Sequence, residues 1–518
     1  MGIVNKYLMA FNSGFDSLRI KHWSLVLFGW ILAAMLMIYF MIPPVSISNP
    51  LYYPSDTSVF FMMGEYWLEG MQPGRDLFDH KGPLLYAIFA FGSWLIPGKA
   101  GLFLLLSISL GVSFYFLFRL SRLFLSRFEA TIATVAYIAI CASAFMGGTE
   151  DFSLPFVVAP LYYFIRYLHQ SERGPSIPWP VWIFSGISFG AIVMLRPNNA
   201  GVLCAIIIYI GCRMLYKKQF SALLKAAVLF LAGSILSILP MLLFLHLNGV
   251  LADCLYAGYT FNMTFATNGI AEKSPADWLA IVKYSASLWL VLPFGFILYK
   301  RQHLCGRMYA AMLVVSVISA LFLIPGKNYA HYFILYSPCV VFALICAILT
   351  IKNATSKKGI ILVGLATLLV YASSVGFSLI ILQYGLYGAL CPEKHAKHLA
   401  EQNVYRASQN IRKLIPADEL NQVLHYDGQG NVYLYMQAKP PTRYFMLQEF
   451  LLDHVPAIRE TVERDIVRSK PAWIIIRDYQ LYSCTNKPLL NYLRRECEPV
   501  KFQEEKSDFL LFKRTGPK

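Results

Sequence analysis

The segment from residue 52 to residue 86 concentrates ionisable side chains in a chain that has few of them. The whole sequence is 57% hydrophobic and only 14% charged, and this segment follows the first long apolar run, residues 23–42. A carboxylate can accept a proton from a reacting hydroxyl, and a cation can stabilise a departing anion. The segment therefore predicts chemistry at a membrane surface, carried by some members of this set: Asp56, Glu65, Glu69, Arg75, Asp76, Asp79, His80 and Lys81.

Three further groups of polar residues stand where apolar runs end. They lie in the motifs GGTED (147–151), RPNN (196–199) and KNYAHY (327–332). Charges at membrane boundaries are costly unless they have partners, so several such groups on one face indicate a shared site. The candidate residues in these motifs are Glu150, Asp151, Arg196, Lys327, His331 and Tyr332.

The elements that must position these residues are membrane helices. The chain has 518 residues and repeated apolar runs of transmembrane length, which must be helical in lipid because unsatisfied backbone groups are too costly there. The first run is long and lacks a cleavage site, so we expect it to be a retained helix. Eleven spans are predicted, at residues 22–43, 100–120, 129–147, 152–169, 180–196, 199–216, 222–247, 277–299, 308–325, 332–351 and 359–383.

Two shorter amphipathic or apolar segments lie in the first outer loop, residues 44–99. Residues 84–96 are apolar but too few for a full span, which predicts an interfacial or partly re-entrant helix. Residues 57–70 set aromatic side chains against Glu65 and Glu69, which predicts a helix on the membrane surface.

The net charge of +16 follows the predicted topology. Lysines and arginines cluster in every second connection, as the positive-inside pattern requires, for example around Arg122, Arg213 and Lys300. This distribution excludes nucleic-acid binding as the reason for the charge. It predicts a cytoplasmic N-terminus and an outer C-terminus for a multi-pass protein of the cytoplasmic (inner) membrane.

The composition changes near residue 390. From there the chain is polar, and short apolar runs at 422–426, 431–435, 473–477 and 509–512 predict strands, with a charged helical stretch over 447–468. We therefore expect a transmembrane domain over residues 1–389 and an α/β domain over residues 390–518. With an odd number of spans, the second domain lies outside the membrane, in the periplasm or extracellular space.

The residues of the outer connections resemble a known family. Asp56 follows the first span, an aromatic surface helix ends at Gly70, and Lys81 precedes the turn sequence GPLLY; an acidic residue follows the third span, and His331-Tyr332 opens a late one. This combination resembles the GT-C superfamily of membrane glycosyltransferases, in particular bacterial enzymes similar to protein O-mannosyltransferases and lipid A aminoarabinose transferases. The resemblance covers about residues 20–350, and the block from Asp56 to the GPLLY turn is its most specific part.

The resemblance implies a fold and an activity. The fold is an α-helical polytopic membrane protein of GT-C type with a C-terminal extracytoplasmic α/β domain. The activity is transfer of a sugar from a polyprenyl-phosphate carrier to a lipid, glycan or protein acceptor on the outer face, in cell-envelope glycan or polysaccharide synthesis. The partners are therefore the lipid-linked donor, the acceptor and membrane lipids.

Two carboxylates match the family's acidic positions. Asp56 matches the catalytic carboxylate, although a residue before the predicted helix at 57–70 can also be an N-cap. Glu150 matches the acidic residue of the second outer loop, and Asp151 is the other candidate there. Asp151 fits the role of a helix cap better than Glu150 does.

Cations and polar residues match positions that contact phosphate or sugar in relatives. Lys81 and Arg196 are the main candidates for the carrier phosphate, since an arginine fork can hold two oxygens at once. His331, with Tyr332 beside it, falls at another position where relatives contact phosphate or sugar, and Arg75 and Lys327 are weaker candidates of the same kind. Each cation could instead contact lipid headgroups, an alternative that the residue types leave open.

Asp79 and His80 stand where some relatives bind a divalent metal ion. A carboxylate and an imidazole can share such an ion, but two adjacent ligands are a weak metal signal. The aminoarabinose enzymes have Glu where this chain has His80, so this chain departs from their pattern at the predicted metal site.

Other classes of membrane protein fit the sequence less well. A transporter or flippase for lipid-linked sugars would place polar groups at the middle of the bilayer, whereas here the spans are apolar in the middle. An O-antigen polymerase or ligase would insert its large outer loop between late spans. A scaffold held by an inert anchor would not need eleven spans.

Overall fold

The computed structural model describes residues 23–516 except 54, 171–176, 264–269, 271–272, 326–328, 392–395, 447, 455–457 and 503–507. The fold is mostly helical. The helices up to residue 390 are α1 (Trp23–Met41), α2 (Ser55–Leu68), α3 (Pro83–Leu95), α4 (Lys99–Ser121), α5 (Arg127–Cys141), α6 (Thr149–Gln170), α7 (Trp179–Leu195), α8 (Gly201–Tyr216), α9 (Phe220–Leu247), α10 (Leu251–Leu255), α11 (Pro275–Tyr284), α12 (Leu288–Lys300), α13 (Gly306–Leu321), α14 (Phe333–Tyr336), α15 (Pro338–Lys352) and α16 (Lys357–Leu390).

The polar C-terminal part has shorter helices and one sheet. Its helices are α17 (Ala396–Leu414), α18 (Gly430–Met436), α19 (Gln448–His454), α20 (Arg459–Arg468), α21 (Asp478–Ser483) and α22 (Lys487–Glu496). Its strands are β1 (Val423–His425), β2 (Trp473–Arg477), β3 (Cys497–Val500) and β4 (Phe509–Arg514).

The chain divides into two compact units. The first contains Met1–Ile42, Phe103–Leu242 and Ala266–Gly385, and the second contains Pro43–Leu102, Leu243–Phe265 and Leu386–Lys518. The second unit thus joins the first outer loop to the C-terminal region. The two compact units are defined by contacts and do not test whether residues 1–389 and 390–518 are separate domains. That division stays a prediction.

The protein is a multi-pass membrane protein. Among the described residues, seven helices are long and apolar enough to cross a bilayer, and an eighth span results if the pair Ala330–Tyr336 and Pro338–Lys352, bent by 64°, is counted as one. Each of the eleven predicted spans overlaps a helix, but the count of eleven is not confirmed. Helices such as Trp179–Leu195 and Gly306–Leu321 are apolar but have fewer than eighteen residues.

Small residues let two helices of the first unit pack closely. A Cβ atom added at Gly186 on α7 would lie 2.0 Å from the Phe230 carbonyl oxygen on α9, and one added at Gly233 on α9 would lie 2.1 Å from the Ile183 carbonyl oxygen. Helices in lipid have no hydrophobic driving force for association, so close backbone contacts of this kind hold them together. They fix α7, whose last residue precedes Arg196.

Both short helices predicted in the first outer loop are present in the second unit. The helix predicted over residues 57–70 is α2, and the helix predicted over residues 84–96 is α3; the placement of α2 on the membrane surface stays a prediction. They pack through Gly64, where an added Cβ would lie 2.7 Å from backbone atoms of Phe89 and Ala90. The Phe60 and Phe61 rings meet the Phe89 ring edge-on at 5.6 and 5.1 Å.

The C-terminal sheet has the strand order β1-β2-β4-β3, with β1 and β2 parallel and the other pairs antiparallel. The strands predicted at 422–426, 473–477 and 509–512 are confirmed. The strand predicted at 431–435 is wrong, because this segment forms α18, whose residues are buried on nearly every side, so that no helical periodicity is visible in its sequence. Strand β3 was not predicted, since only its first residue is buried.

Candidate functional site

Glu150 and Arg196 form an ion pair in the first unit. Glu150 lies in the first turn of α6, and Arg196 follows the last residue of α7, where the chain leaves the helix in an extended conformation. The Arg196 Nη1 atom donates to the Glu150 Oε1 atom at 2.7 Å, and Thr149 Oγ1 donates to Glu150 Oε2 at 2.9 Å. The side chains are only 6% and 17% exposed, so each charge depends on the other.

The second half of the Arg196 guanidinium contacts Tyr332. Its Nη2 atom donates to the Tyr332 hydroxyl at 2.6 Å, and the Arg196 Cζ atom lies 4.5 Å from the centre of the Tyr332 ring. The His331 ring meets the Tyr332 ring edge-on at 4.6 Å. The structure therefore brings together four predicted site residues, Glu150, Arg196, His331 and Tyr332, which we call the Arg196 cluster.

Asp151 has a structural contact of its own. Its Oδ2 atom accepts hydrogen bonds from the backbone N–H groups of Met146 at 2.9 Å, Gly147 at 2.5 Å and Gly148 at 3.3 Å. The side chain thus organises the turn that leads into α6, in line with the capping alternative. Lys327, the remaining candidate of this group, lies outside the described residues.

In the second unit, Asp79, His80 and Lys81 form a short chain of polar contacts. The Lys81 ammonium lies 2.8 Å from His80 Nε2, and His80 Nδ1 lies 3.2 Å from Asp79 Oδ1. Because an ammonium has only donors, these contacts assign a neutral imidazole that accepts at Nε2 and carries its proton on Nδ1. Tyr86 donates its hydroxyl proton to Asp79 Oδ2 at 2.8 Å.

The Asp79 carboxylate and the Lys81 ammonium compensate each other's charge. Burial raises the pKa of Asp79, but the Lys81 charge and the hydrogen bonds from His80 and Tyr86 outweigh it, so the pKa of Asp79 lies well below its ordinary value. Asp79 is only 3% exposed, and its negative charge therefore fixes His80 and Lys81 in place. We call Asp79, His80, Lys81 and Tyr86 the Lys81 network.

This arrangement does not fit a divalent metal ion at Asp79 and His80. Both imidazole nitrogens are already engaged, one by Asp79 and one by an ammonium that would repel a cation. Within the described part of the chain, no group of three or more His, Cys, Asp or Glu side chains could hold a metal. The predicted metal ion therefore enters no step below.

Asp56 lies in the first turn of α2. The helix begins at Ser55, so Asp56 is inside the helix rather than before it, where its carboxylate stabilises the positive end of the helix dipole. Phe60 is one turn further along the same face of α2. The Lys81 ammonium lies 5.9 Å from the centre of the Phe60 ring. The Lys81 network is therefore close to the face of α2 that carries Asp56.

The C-terminal region holds α2 in place, a role that the sequence did not reveal. A Cβ atom added at Gly430, the first residue of α18, would lie 2.8 Å from the Ser58 carbonyl oxygen. The Tyr66 hydroxyl donates to the Ala438 carbonyl oxygen at 2.6 Å, and Lys439 pairs with Glu69 at 2.7 Å. The hydroxyl of Tyr435 donates to the carbonyl oxygen of Leu51, just before α2.

Arg75 is the most exposed of the predicted cations that the structure describes. Its side chain is 49% exposed, and its fork contacts both carboxylate oxygens of Asp76 at 2.9 and 3.0 Å. The hydrogen bond from Arg75 lowers the pKa of Asp76. A phosphate would have to displace Asp76 from the guanidinium.

Comparison with known proteins gives matches in structure but not in sequence. No protein-family model matches the chain, and no curated protein matches it. The structure of ArnT from Cupriavidus metallidurans bound to undecaprenyl phosphate matches with a TM-score of 0.54 at 10% identity, covering 95% of this chain and 98% of that one. The apo oligosaccharyltransferase of Archaeoglobus fulgidus matches with a TM-score of 0.51 at 13% identity, covering 95% and 75%.

The chain has the GT-C fold. At these identities the likeness concerns the fold alone, and it extends over both units. The GT-C fold confirms the predicted class, a polytopic helical membrane protein with a C-terminal sheet. The apo state of the same ArnT matches equally, with a TM-score of 0.53 at 10% identity over 95% of this chain and 97% of that one.

Proposed function

We propose that this protein is a glycosyltransferase that moves a sugar from a polyprenyl-phosphate carrier to an acceptor hydroxyl on the outer face of the cytoplasmic membrane. The observation that carries the proposal is the GT-C fold over 95% of the chain, shared with an ArnT structure bound to undecaprenyl phosphate. Asp56 and Lys81 on neighbouring elements of the second unit supply the base and the cation that such a reaction needs.

The proposed step is one displacement at the anomeric carbon. Asp56 accepts the proton of the acceptor hydroxyl, and the hydroxyl oxygen attacks the anomeric carbon. The bond between that carbon and the phosphate oxygen breaks, and the carrier phosphate leaves with the electron pair. Lys81 stabilises the charge that develops on the phosphate, while Asp79 and His80 hold the ammonium in position.

The Arg196 cluster is proposed to contact substrate as well. Glu150 and Tyr332 fix the guanidinium through two short hydrogen bonds, so little side-chain entropy is lost when it binds an anion. His331, beside Tyr332, extends the same polar surface. Arg75 and Lys327 remain weaker candidates, and Asp151 acts through the turn that it stabilises.

The orientation is part of the proposal. Cationic connections alternate along the sequence, which supports a cytoplasmic N-terminus and an outer C-terminal region in the inner membrane. The product would then enter a cell-envelope glycan or glycolipid. The cations before the first helix lie outside the described residues, so the evidence for orientation comes from the later connections.

The test is transfer by the purified full chain in lipid. A polyprenyl-phosphate-linked sugar is mixed with an envelope lipid extract as acceptor source, and the release of free polyprenyl phosphate is followed by mass spectrometry. We expect release by the wild type and by Glu69→Gln, which removes a carboxylate just after α2, but not by Asp56→Asn. Movement of the intact donor across the bilayer, with the sugar–phosphate bond unbroken, would instead support the flippase alternative.

A further inference from the structure

A polar cavity lies in the first unit, away from the Arg196 cluster. Its volume is about 690 Å³, within the range of small-molecule sites. It is lined by the end of α6, the start of α7, the end of α8 and the start of α9, including Tyr167, Trp179, Trp182 and Arg213. No role in sugar transfer follows from its position.

The cavity is at the opposite end of the helices from the Arg196 cluster. Glu150 starts α6 and Tyr167 stands near its end, whereas Trp179 starts α7 and Arg196 follows its end. Seventeen helical residues span about 25 Å, close to the thickness of the hydrocarbon core. If the Arg196 cluster lies at one membrane face, the cavity therefore lies at the headgroup level of the other face.

The lining of the cavity is strongly cationic. Among the described residues, the lining contains four cations, Arg213, Lys217, Lys218 and Lys225, and no aspartate or glutamate. Within the described part of the chain, none of these four makes an ion pair with a carboxylate. The three lysines are exposed and Arg213 is partly buried, an arrangement that attracts an anion at a wet surface. Basic pockets between membrane helices bind anionic lipid headgroups in this way.

Lys218 adopts a conformation that usually belongs to glycine. Its φ is +57°, and it stands at the end of α8, where its N–H donates to the Leu215 carbonyl and the N–H of Gln219 donates to the Met214 carbonyl. This pair of hydrogen bonds is the Schellman motif, in which glycine is preferred at the left-handed position. Lysine is less favourable than glycine at this position, and it adds a positive charge to the lining of the cavity.

The side of the cavity formed by α9 leads onto an apolar surface. Phe220, Leu224 and Val228 recur along one side of α9 and are 63%, 68% and 57% exposed. Trp179 and Trp182 add aromatic lining of the kind that concentrates at the membrane interface. A ligand in this cavity therefore has an anionic head and hydrocarbon chains.

We propose that the cavity binds an anionic phospholipid, with its phosphodiester head among Arg213, Lys217, Lys218 and Lys225 and its acyl chains along α9. The exposed lysines favour a singly charged phospholipid head over a free or terminal phosphate, which would need a buried clamp of donors. This inference does not depend on the proposed sugar transfer, since it concerns the other end of the helices.

The experiment is native mass spectrometry of the full chain with added phosphatidylglycerol or phosphatidylcholine of the same acyl composition. The test variant combines Arg213→Gln, Lys217→Gln, Lys218→Gly and Lys225→Gln. The control variant, Lys300→Gln, Arg301→Gln, Lys357→Gln and Lys358→Gln, also removes four positive charges, but at positions that do not line the cavity. We expect the wild type and the control to retain phosphatidylglycerol over phosphatidylcholine by about tenfold, and the test variant to lose this preference.

Lys218→Gly alone gives an independent readout that does not depend on the combined variant folding. Glycine suits the left-handed position, so the melting temperature should stay the same or rise while phosphatidylglycerol retention falls several-fold. Equal loss in the test and control variants, or unchanged retention in Lys218→Gly, would overturn the proposal. So would displacement of phosphatidylglycerol by inorganic phosphate, or retention of a polyprenyl phosphate without retention of phosphatidylglycerol.

Discussion

Arg196 and Glu150 approach to 2.7 Å, with less than a fifth of either side chain exposed. The pair lies where α6 begins and α7 ends, so it joins two helix termini of the first unit. Breaking such a pair leaves one charge buried without compensation, which costs about 3–5 kcal/mol, whereas removing both partners costs much less. The pair thus has a structural effect that any functional test must separate from substrate binding.

Glu150→Gln should lower stability by leaving the Arg196 charge without its counter-ion, and Arg196→Gln should do the same to Glu150. The double variant should recover most of the melting temperature but not the transfer activity, because it lacks the cation that is proposed to contact substrate. The measurement is a double-mutant cycle read by thermal unfolding and by release of polyprenyl phosphate. If the stable double variant transferred sugar at the wild-type rate, the Arg196 cluster would have only a structural role.

Lys81→Ala should reduce transfer while leaving the chain folded. Loss of one charge-assisted contact to a desolvated phosphate costs about 2–4 kcal/mol of transition-state stabilisation, or roughly 30- to 1,000-fold in rate. Lys439→Gln is the matched control, since it removes a lysine that pairs with Glu69 in the same unit. A Lys81→Ala enzyme within a few-fold of both wild type and control would exclude Lys81 as the phosphate contact.

Gly430→Ala should disturb the position of α2. The added methyl group would meet the Ser58 carbonyl at 2.8 Å, so α18 and α2 must move apart. We expect a lower melting temperature and a lower turnover, because Asp56 is on the displaced helix. Gly364→Ala on α16 is the control: an added Cβ has no atom within 4 Å there, and alanine favours the helix by about 1 kcal/mol. Equal melting temperatures and equal turnover of the two variants would show that the contact between α18 and α2 is not tight.

Glu65 on α2 should make stability depend on pH. Burial, with a smaller effect of nearby Glu69, raises the pKa of Glu65 to about 7. The unfolded pKa is about 4.3, so the folded chain binds more protons between these values and stability falls as pH rises through this window. Above this window the buried, ionised Glu65 lowers the free energy of unfolding, and partial exposure limits this cost to about 1–2 kcal/mol. Glu65→Gln removes the cost. The melting temperature of the variant should exceed that of the wild type at about pH 8 but not at about pH 5. A difference in melting temperature that stayed the same at both pH values would contradict the raised pKa of Glu65.

The sequence predicted those parts of the site that depend on local pattern. One helix of the first outer loop was predicted from a short apolar run and the other from aromatic side chains set against Glu65 and Glu69. Glu150, Arg196, His331 and Tyr332 were grouped because each follows or precedes an apolar run. The ion pair itself could not be predicted, since it depends on how the ends of α6 and α7 meet. The link between His80 Nε2 and Lys81 depends on a side-chain rotamer, which residue order does not specify.

Contacts between distant parts of the sequence were missed for the same reason. Tyr66 and Ala438 are 372 residues apart, and the segment that contains Tyr435 was predicted as a strand. A buried helix of seven residues is too short to show a period of its own, and its tyrosines are typical of strands. The contact of α18 with α2 therefore appears only in the folded protein.

Asp56→Asn should remove transfer activity and leave the fold intact. Asparagine has nearly the same size and keeps an oxygen in the first turn of α2, so only the charge interaction with the helix dipole is lost, about 0.3–1 kcal/mol. It cannot accept the proton of the acceptor hydroxyl at neutral pH. Turnover should therefore fall by about a hundredfold or more, the usual scale for a lost general base.

The measurement for Asp56→Asn compares the melting temperature and the release of polyprenyl phosphate with those of Glu69→Gln, a carboxylate change just beyond the other end of the same helix. If Asp56 only stabilised the helix start, asparagine would lose no more than the charge interaction with the helix dipole, and activity would survive. A stable and fully active Asp56→Asn enzyme would leave Glu150 as the candidate base. Since Glu150 already accepts from Arg196 and Thr149, it would first have to exchange one of these contacts for the acceptor hydroxyl.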